Sequence, residues 1–355
     1  MRQPAEDRSR SHAEADLEWC YETVQGVSRT FAITVDVLKE PMSSYICVGY
    51  LLCRVPDTIE DAGHVPADRQ VELLETYESV LDPAVNASVE EFLAEVEPWV
   101  PDADGRSDDW ELVAETQRVL RAFESLPDGV QRAARGPARE LVSGMATFVD
   151  RYEDDGGLRL RTREELLEYS HYAAGTVGEL ITNLVCRERA DERPCPTLYE
   201  TAESFGRLLQ LVNIAKDVHD DYHEEDNVYL PADRLRAEGV EPDAVVDPDN
   251  AEGVARVVRW TAGQARSLLD DAQRYLELVP RRDGNTVAAW AIPYLLAVGT
   301  LRELQDRPGD ALTPGGVKVS RQEVHAVVER ALAGLDKEDL SELRATIDEQ
   351  PFHEA

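Results

Sequence analysis

Lysine is nearly absent from this chain: Lys39, Lys216, Lys318 and Lys337 are the only four. With 37 basic residues against 71 acids, the formal net charge is −34 over 355 residues. No long acidic block carries that excess; acids are spread over nearly every polar face. A surface so poor in cations lacks the basic footprint that nucleic-acid binding needs, which excludes that class of partner. A dispersed acidic surface suits a protein kept in solution at high salt, where screening confines self-repulsion to a few ångströms. The expectation is a halophilic cytoplasm, with loss of structure in low-salt buffer.

Cysteine is also sparse. Cys20, Cys47, Cys53, Cys186 and Cys195 form no C-x-x-C pair, and four of them fall in predicted helices. Buried thiols in a reducing compartment are expected, rather than disulfides or zinc ligands. The N-terminus from Met1 to Asp16 is polar and of mixed charge, without the apolar core of a signal peptide. The most apolar stretch, 287–301, is shorter than the roughly 20 residues a membrane span needs and carries Pro293.

Alternating strand patterns are almost missing too, whereas apolar residues recur at helical period nearly everywhere. Helices are predicted over 17–28, 40–61, 67–81, 89–96, 108–123, 129–152, 162–189, 198–221, 250–278, 285–305, 321–333 and 335–349. Pro, Gly and Asp clusters such as Asp82-Pro83 and Arg307-Pro308-Gly309-Asp310 punctuate them. There is no internal repeat and no dividing linker. The reading is a polar N-terminal tail (1–16), one all-α domain (17–321) and an acidic helical C-terminal tail (322–355). Pro56 is awkward: it either kinks the helix at Asp57, or Asp57 begins a fresh turn.

Two acid clusters share one geometry: Asp57-Thr58-Ile59-Glu60-Asp61 and Asp217-Val218-His219-Asp220-Asp221. Each puts carboxylates at i, i+3 and i+4, on one side of a helix turn. In a chain with about one acid in five residues, that triplet arises by chance roughly three times. Asp150/Glu153/Asp154 and Asp221/Glu224/Glu225 show it in polar surroundings, where a solvated face accounts for them. The first two clusters instead end apolar runs, where mutual repulsion is costly without a ligand. Mg²⁺ relieves that cost and characteristically holds a phosphate through one or two carboxylates. Asp57, Glu60, Asp61, Asp217, Asp220 and Asp221 are the candidate ligands.

Basic groups stand out against this background. Arg29 lies in an apolar segment, Arg54 three residues before Asp57, and Lys216 next to Asp217. Each alone reads as an ion-pair partner; together they suggest clamps on a diphosphate. The run Tyr169-Ser170-His171-Tyr172-Ala173-Ala174-Gly175-Thr176-Val177-Gly178 places two glycines at i, i+3, suiting close approach of a helix or a substrate. Tyr172 and Tyr50 are candidates to line a pocket and stabilise cationic carbon with ring π-density. His171 and His219 read as satisfied polar residues, on the expectation that neither has a histidine partner at ligand spacing.

These residues resemble the squalene/phytoene synthase family. The resemblance runs from about Ser28 to Arg321 through Ser28-Arg29-Thr30-Phe31, Asp57 to Asp61, Gly144-Met145-Ala146-Thr147-Phe148, Tyr169 to Gly178, Gln210 to Asp217, and Tyr229-Leu230-Pro231. It implies an all-α isoprenoid synthase bundle around a central cavity, and, with the acidic surface, a haloarchaeal source. Asp-Thr-Ile-Glu-Asp, Gly144-Met145-Ala146, His171-Tyr172, the run 291–301 and Val317-Lys318-Val319 resemble squalene synthases. Thr176-Val177-Gly178 and Val228-Tyr229-Leu230-Pro231 look more like phytoene synthases. Two departures remove guanidinium forks: Lys216 stands where the family usually has Arg, as does Asn227 before the aromatic-x-Pro segment.

The resemblance implies Mg²⁺-dependent, head-to-head coupling of two farnesyl diphosphates, then reduction by NADPH to squalene. Arg29, Arg54, Lys216 and Tyr50 would bind the diphosphate, Tyr172 would assist proton removal, and Asn213 and Lys318 would contact the cofactor. The alternative is a phytoene synthase, joining two geranylgeranyl diphosphates without reduction. Helical relatives that serve as assembly factors have no need of both acid clusters, and both are here. The lipid product implies a cytoplasmic enzyme with peripheral contact at the inner face of the cell membrane.

Overall fold

Pro56 lies inside one unbroken helix, Met42–Glu60, in the computed structural model, which describes residues 3–187 and 196–355. Asp57 therefore begins no fresh turn. The carbonyl that Pro56 leaves without a donor, that of Leu52, accepts a hydrogen bond from the buried Tyr77 hydroxyl at 2.9 Å. Pro137, inside Asp128–Arg151, is accommodated likewise: Asn183 Nδ2 donates to the Ala133 carbonyl at 3.3 Å. Side chains of neighbouring helices thus replace the bonds that proline removes.

The bundle is all-α: no strand occurs among the described residues, only an isolated parallel bridge between Arg159 and Val228. Ala67–Leu81 and Val89–Val96 fall where the apolar period puts them. Several long predicted helices are divided instead. The one over 108–123 breaks at Glu115, and the one over 250–278 breaks at Ser267-Leu268. The one over 162–189 becomes Arg163–Ser170, a π-turn His171–Gly175, and Thr176–Cys186; its far end lies outside the described residues, as does Cys195. The one over 198–221 becomes Pro196–Lys216 and Val218–Glu224, hinged at Asp217. A helix absent from the sequence reading, Arg29–Val37, is capped by Ser28, whose side chain accepts from the Phe31 N–H at 3.3 Å.

Of the segments read as tails, the N-terminal one is helical from Gln3 and meets the bundle at Asp16, and the C-terminal one packs on the bundle. The N-terminal helix is Gln3–Val27, and its buried Asp16 accepts bonds from Arg118 and Arg121 at 2.7 to 3.1 Å. Beyond residue 320, Arg321–Leu332 and Lys337–Glu349 dock on Val287–Asp306. There the buried Arg302 meets both oxygens of buried Glu323 at 2.8 and 2.9 Å and reaches the Ile347 carbonyl at 2.6 Å.

Pro196–Lys216 forms the centre, against Thr176–Cys186, Ala251–Arg266, Leu269–Leu278 and Val287–Asp306. The approach is close: a β-carbon at Gly178 would lie 2.3 Å from the Ala202 carbonyl oxygen, and one at Gly206 2.1 Å from that of Ala174. Small residues in the 175–178 run thus serve helix packing. Val287–Asp306 is the one described helix long and apolar enough to cross a membrane, and 78% of its most apolar window is buried in this core. Cys20, Cys47 and Cys53 are buried thiols, with burial pushing Cys20 and Cys53 up to about 12.

Candidate active site

A cavity of about 600 Å³ opens beside the ends of the two acid-bearing helices, a size suited to a small-molecule ligand. Most of its wall is apolar, including Phe205, Leu209, Trp290 and Leu296. Arg54, Asp57, Lys216 and Lys318 are its charged lining among the described residues. Tyr50 also lines it, stacked on Phe31 with centroids 3.9 Å apart, and burial pushes its phenol up to about 12.

The clusters converge next to this cavity. Asp57 pairs with Arg54, whose Nε also donates to Asp109 Oδ1 at 2.7 Å. Burial works against the Arg54 charge, but Asp57 and Asp109 outweigh it and hold the guanidinium firmly protonated. Asp217 occupies the hinge and pairs with Lys216. Burial pushes Glu60, Asp61 and Asp221 well above the carboxylate range. Repulsion adds to it within and between the clusters: Asp61 acts on Asp221, and Glu225 and Asp57 act on Asp61. Glu225 itself is pushed up to about 9 by burial, then by Asp221 and Asp57.

Asp220 differs from its neighbours. Burial is outweighed by the Gly315 N–H, which reaches its two oxygens at 3.0 and 3.1 Å, and by His219 at 2.9 Å, so its carboxyl is held below the usual range. The strap carrying Gly315 turns at Gly316 (φ +59°), where a β-carbon would lie 2.2 Å from the Lys216 carbonyl oxygen. Val317 N–H then donates to that carbonyl at 3.0 Å.

A buried polar network backs the first cluster. Tyr169 donates to Glu60 Oε2 at 3.2 Å and lies 3.3 Å from the Tyr229 hydroxyl, which meets Asp61 at 3.5 Å and Asn227 Nδ2 at 2.9 Å. Asn227 Oδ1 accepts from the Leu158 N–H at 2.8 Å, so this amide builds the network from inside the protein. The other oxygen of Glu60 has no partner, although the residue is only 4% exposed. A buried, unpartnered carboxylate oxygen amid repelling acids is costly, and a divalent cation relieves both penalties. Among the described residues no three acid, histidine or cysteine side chains are gathered to hold an ion unaided. Mg²⁺ keeps several waters and takes substrate phosphate oxygens, so one or two of these carboxylates suffice. The donor set fits that ion.

Other expected residues fall less centrally. Arg29 is exposed, between the cavity residues Ser28 and Thr30. Tyr172 does not line the cavity, though Ala173 and Ala174 do; it packs over Gly144, where a β-carbon would lie 2.2 Å from its ring, and 6.3 Å from Phe148. Asn213 and Lys318 both line the cavity and are exposed, an amide and an ammonium suited to a nucleotide phosphate. His171 sits between Glu203 at 3.2 Å and Glu140 at 3.3 Å, and Glu203 above all holds its imidazole above the usual range.

Two expectations need correction. Asp150, Glu153 and Asp154 are exposed, but Glu225, read as part of a solvated face, is half-buried among the cluster carboxylates. His219 does have a histidine partner, since His223 one turn later stands 4.4 Å away between ring centroids. Asp109 was missed, having no neighbouring motif, and Glu225 was set aside although it lies one turn beyond Asp221; Tyr169 and Tyr229 lay inside quoted motifs, and burial gives them their part.

The family model for squalene/phytoene synthase matches residues 24–323. The chain belongs to that family, one of prenyltransferases. It is 24% identical over 294 residues to the squalene synthase of Schizosaccharomyces pombe, covering 82% of this chain and 60% of that one. It is 26% identical over 315 residues to squalene synthase ERG9 of Candida albicans, covering 87% and 66%. The chain thus spans about 60 to 66% of the length of these relatives. Another relative, 26% identical, is inactive squalene synthase 2 of Arabidopsis thaliana, so membership alone does not carry activity. The fold matches a ligand complex of TcSQS with a TM-score of 0.73 at 22% identity, covering 94% of this chain and 97% of that one. A dehydrosqualene synthase matches at 0.61 and 19%, covering 92% and 98%.

Proposed function

We propose that this chain is a squalene synthase that couples two farnesyl diphosphates head to head, with Mg²⁺ and NADPH. One observation carries the reading: buried, mutually repelling carboxylates from two helix ends converge beside a largely apolar cavity whose charged lining includes Arg54 and Lys216. Bound Mg²⁺ would supply Lewis-acid stabilisation of the departing diphosphate, held by Asp57, Glu60, Asp61, Asp217, Asp220 and Asp221. Arg54 and Lys216 contribute fixed positive charge where negative charge grows as the first carbon–oxygen bond breaks. We assign to Arg29, exposed between the cavity residues Ser28 and Thr30, a further contact with that diphosphate.

The allylic cation is attacked by the double bond of the second farnesyl diphosphate, and loss of a proton closes the cyclopropane of presqualene diphosphate. We assign assistance in that proton removal to Tyr172. The apolar wall excludes water, which would quench a carbocation. NADPH would supply a hydride, with Asn213 and Lys318 as its contacts. Asp220, held by Gly315 and His219, keeps the strap before Lys318 against the second cluster. We further propose that the acidic surface is an adaptation to high salt, and that the cytoplasmic enzyme touches the membrane peripherally to release its lipid product.

The second reading is a phytoene synthase using geranylgeranyl diphosphate without reduction. It is favoured by the Thr176-Val177-Gly178 and Val228-Tyr229-Leu230-Pro231 segments, which look like those of phytoene synthases. Product analysis in high salt separates the two. Squalene from farnesyl diphosphate, Mg²⁺ and NADPH supports the first reading; no product there, with phytoene from geranylgeranyl diphosphate, replaces it by the second.

A further inference from the structure

The short helix Val218–Glu224 carries two histidines one turn apart, the spacing at which side chains share a face. The rings of His219 and His223 lie 4.4 Å apart between centroids, tilted by 55°. His219 Nδ1 is 2.9 Å from Asp220 Oδ1. A carboxylate accepts, so Nδ1 carries the hydrogen and Nε2 keeps its lone pair for a ligand. His223 is exposed, with ring contacts to His219 and to Tyr222 at 5.3 Å. Among the described residues no hydrogen bond occupies either of its ring nitrogens.

We propose that His219 and His223 form a two-imidazole site for a late first-row transition ion such as Zn²⁺, Ni²⁺ or Cu²⁺, with water completing the coordination. Imidazole nitrogen suits these ions, whereas Mg²⁺ takes oxygen ligands, so the site discriminates against the ion expected at the carboxylates. The Asp220–His219 hydrogen bond is the carboxylate support that fixes tautomer and ring orientation for a metal-bound histidine.

Asp220 links this site to the second acid cluster. It also holds the strap through the Gly315 N–H. An ion on His219 makes the imidazole a stronger donor, ties Asp220 to it and withdraws that carboxylate from the diphosphate site. The ion therefore inhibits prenyl coupling even when Mg²⁺ is saturating; this consequence rests on the proposed function, whereas ion binding does not.

Calorimetric titration of tag-free protein with ZnCl₂ or NiCl₂ under excess Mg²⁺ tests the site. One ion per wild-type chain is expected, with affinity weaker by about tenfold or more in His219→Ala and in His223→Ala. His223→Ala should keep coupling activity and lose the inhibition. No ion bound by the wild type, or equal affinity in His223→Ala, overturns the site. Binding without any effect on a demonstrated coupling activity overturns the link to Asp220. Absence of coupling activity leaves the binding result standing and counts against the proposed function alone.

Discussion

The Tyr77 hydroxyl donates to the Leu52 carbonyl at 2.9 Å, filling the bond that Pro56 takes from the helix carrying Asp57. This contact lets an apolar helix run through a proline and still deliver Asp57, Glu60 and Asp61 on one turn. Tyr77→Phe keeps the ring and leaves a buried carbonyl without a donor, at an expected cost of about 1 to 3 kcal/mol. Urea denaturation in high salt should show a lower midpoint with an unchanged slope. An unchanged midpoint would mean that the carbonyl finds another partner.

Gly144 and Tyr172 make a second such pair. A β-carbon at Gly144 would lie 2.2 Å from the Tyr172 ring, so Gly144→Ala must displace that ring. If Tyr172 acts in proton removal, a shift of this kind lowers presqualene diphosphate formation by roughly a hundredfold. Far-UV circular dichroism should stay that of the wild type. Full activity in a folded Gly144→Ala protein would remove Tyr172 from the chemistry.

Glu225 sets a pH dependence. Its native value of about 9 stands above its ordinary 4.5, so the folded chain keeps a proton that the unfolded chain has lost. The stability this contributes is complete below 4.5 and disappears as pH rises towards about 9. Without divalent cations, thermal stability should fall across that window. Mg²⁺ compensates ionised carboxylates, so its stabilising effect should be larger at the top of the window than at the bottom. Equal stabilisation at both ends would argue against these acids as its ligands.

Much of the bundle was readable because apolar residues at helical period, ended by Pro, Gly and Asp, leave few alternatives, as at Ala67–Leu81. The breaks at Glu115, Asp217 and Ser267-Leu268 were hidden, since the apolar stripe continues through them. Asp57, Asp61, Asp217 and Asp221 were legible through the apolar runs they end. Glu225 was not: its sequence neighbours Glu224 and Asp226 are exposed, and only the fold turns Glu225 inwards. Asp109 reaches Arg54 across 55 positions, a pairing that no local pattern encodes. His223 was overlooked for a different reason: the helix that pairs it with His219 was predicted to end at residue 221.

The central claim is that the two acid clusters act together on one diphosphate. Its most direct measurement is Mg²⁺-dependent release of diphosphate from farnesyl diphosphate in high salt, by the wild type, Asp57→Ala and Asp217→Ala, with helicity checked in parallel. Both variants should keep their helicity and lose turnover. Undiminished release from either folded variant would contradict the claim.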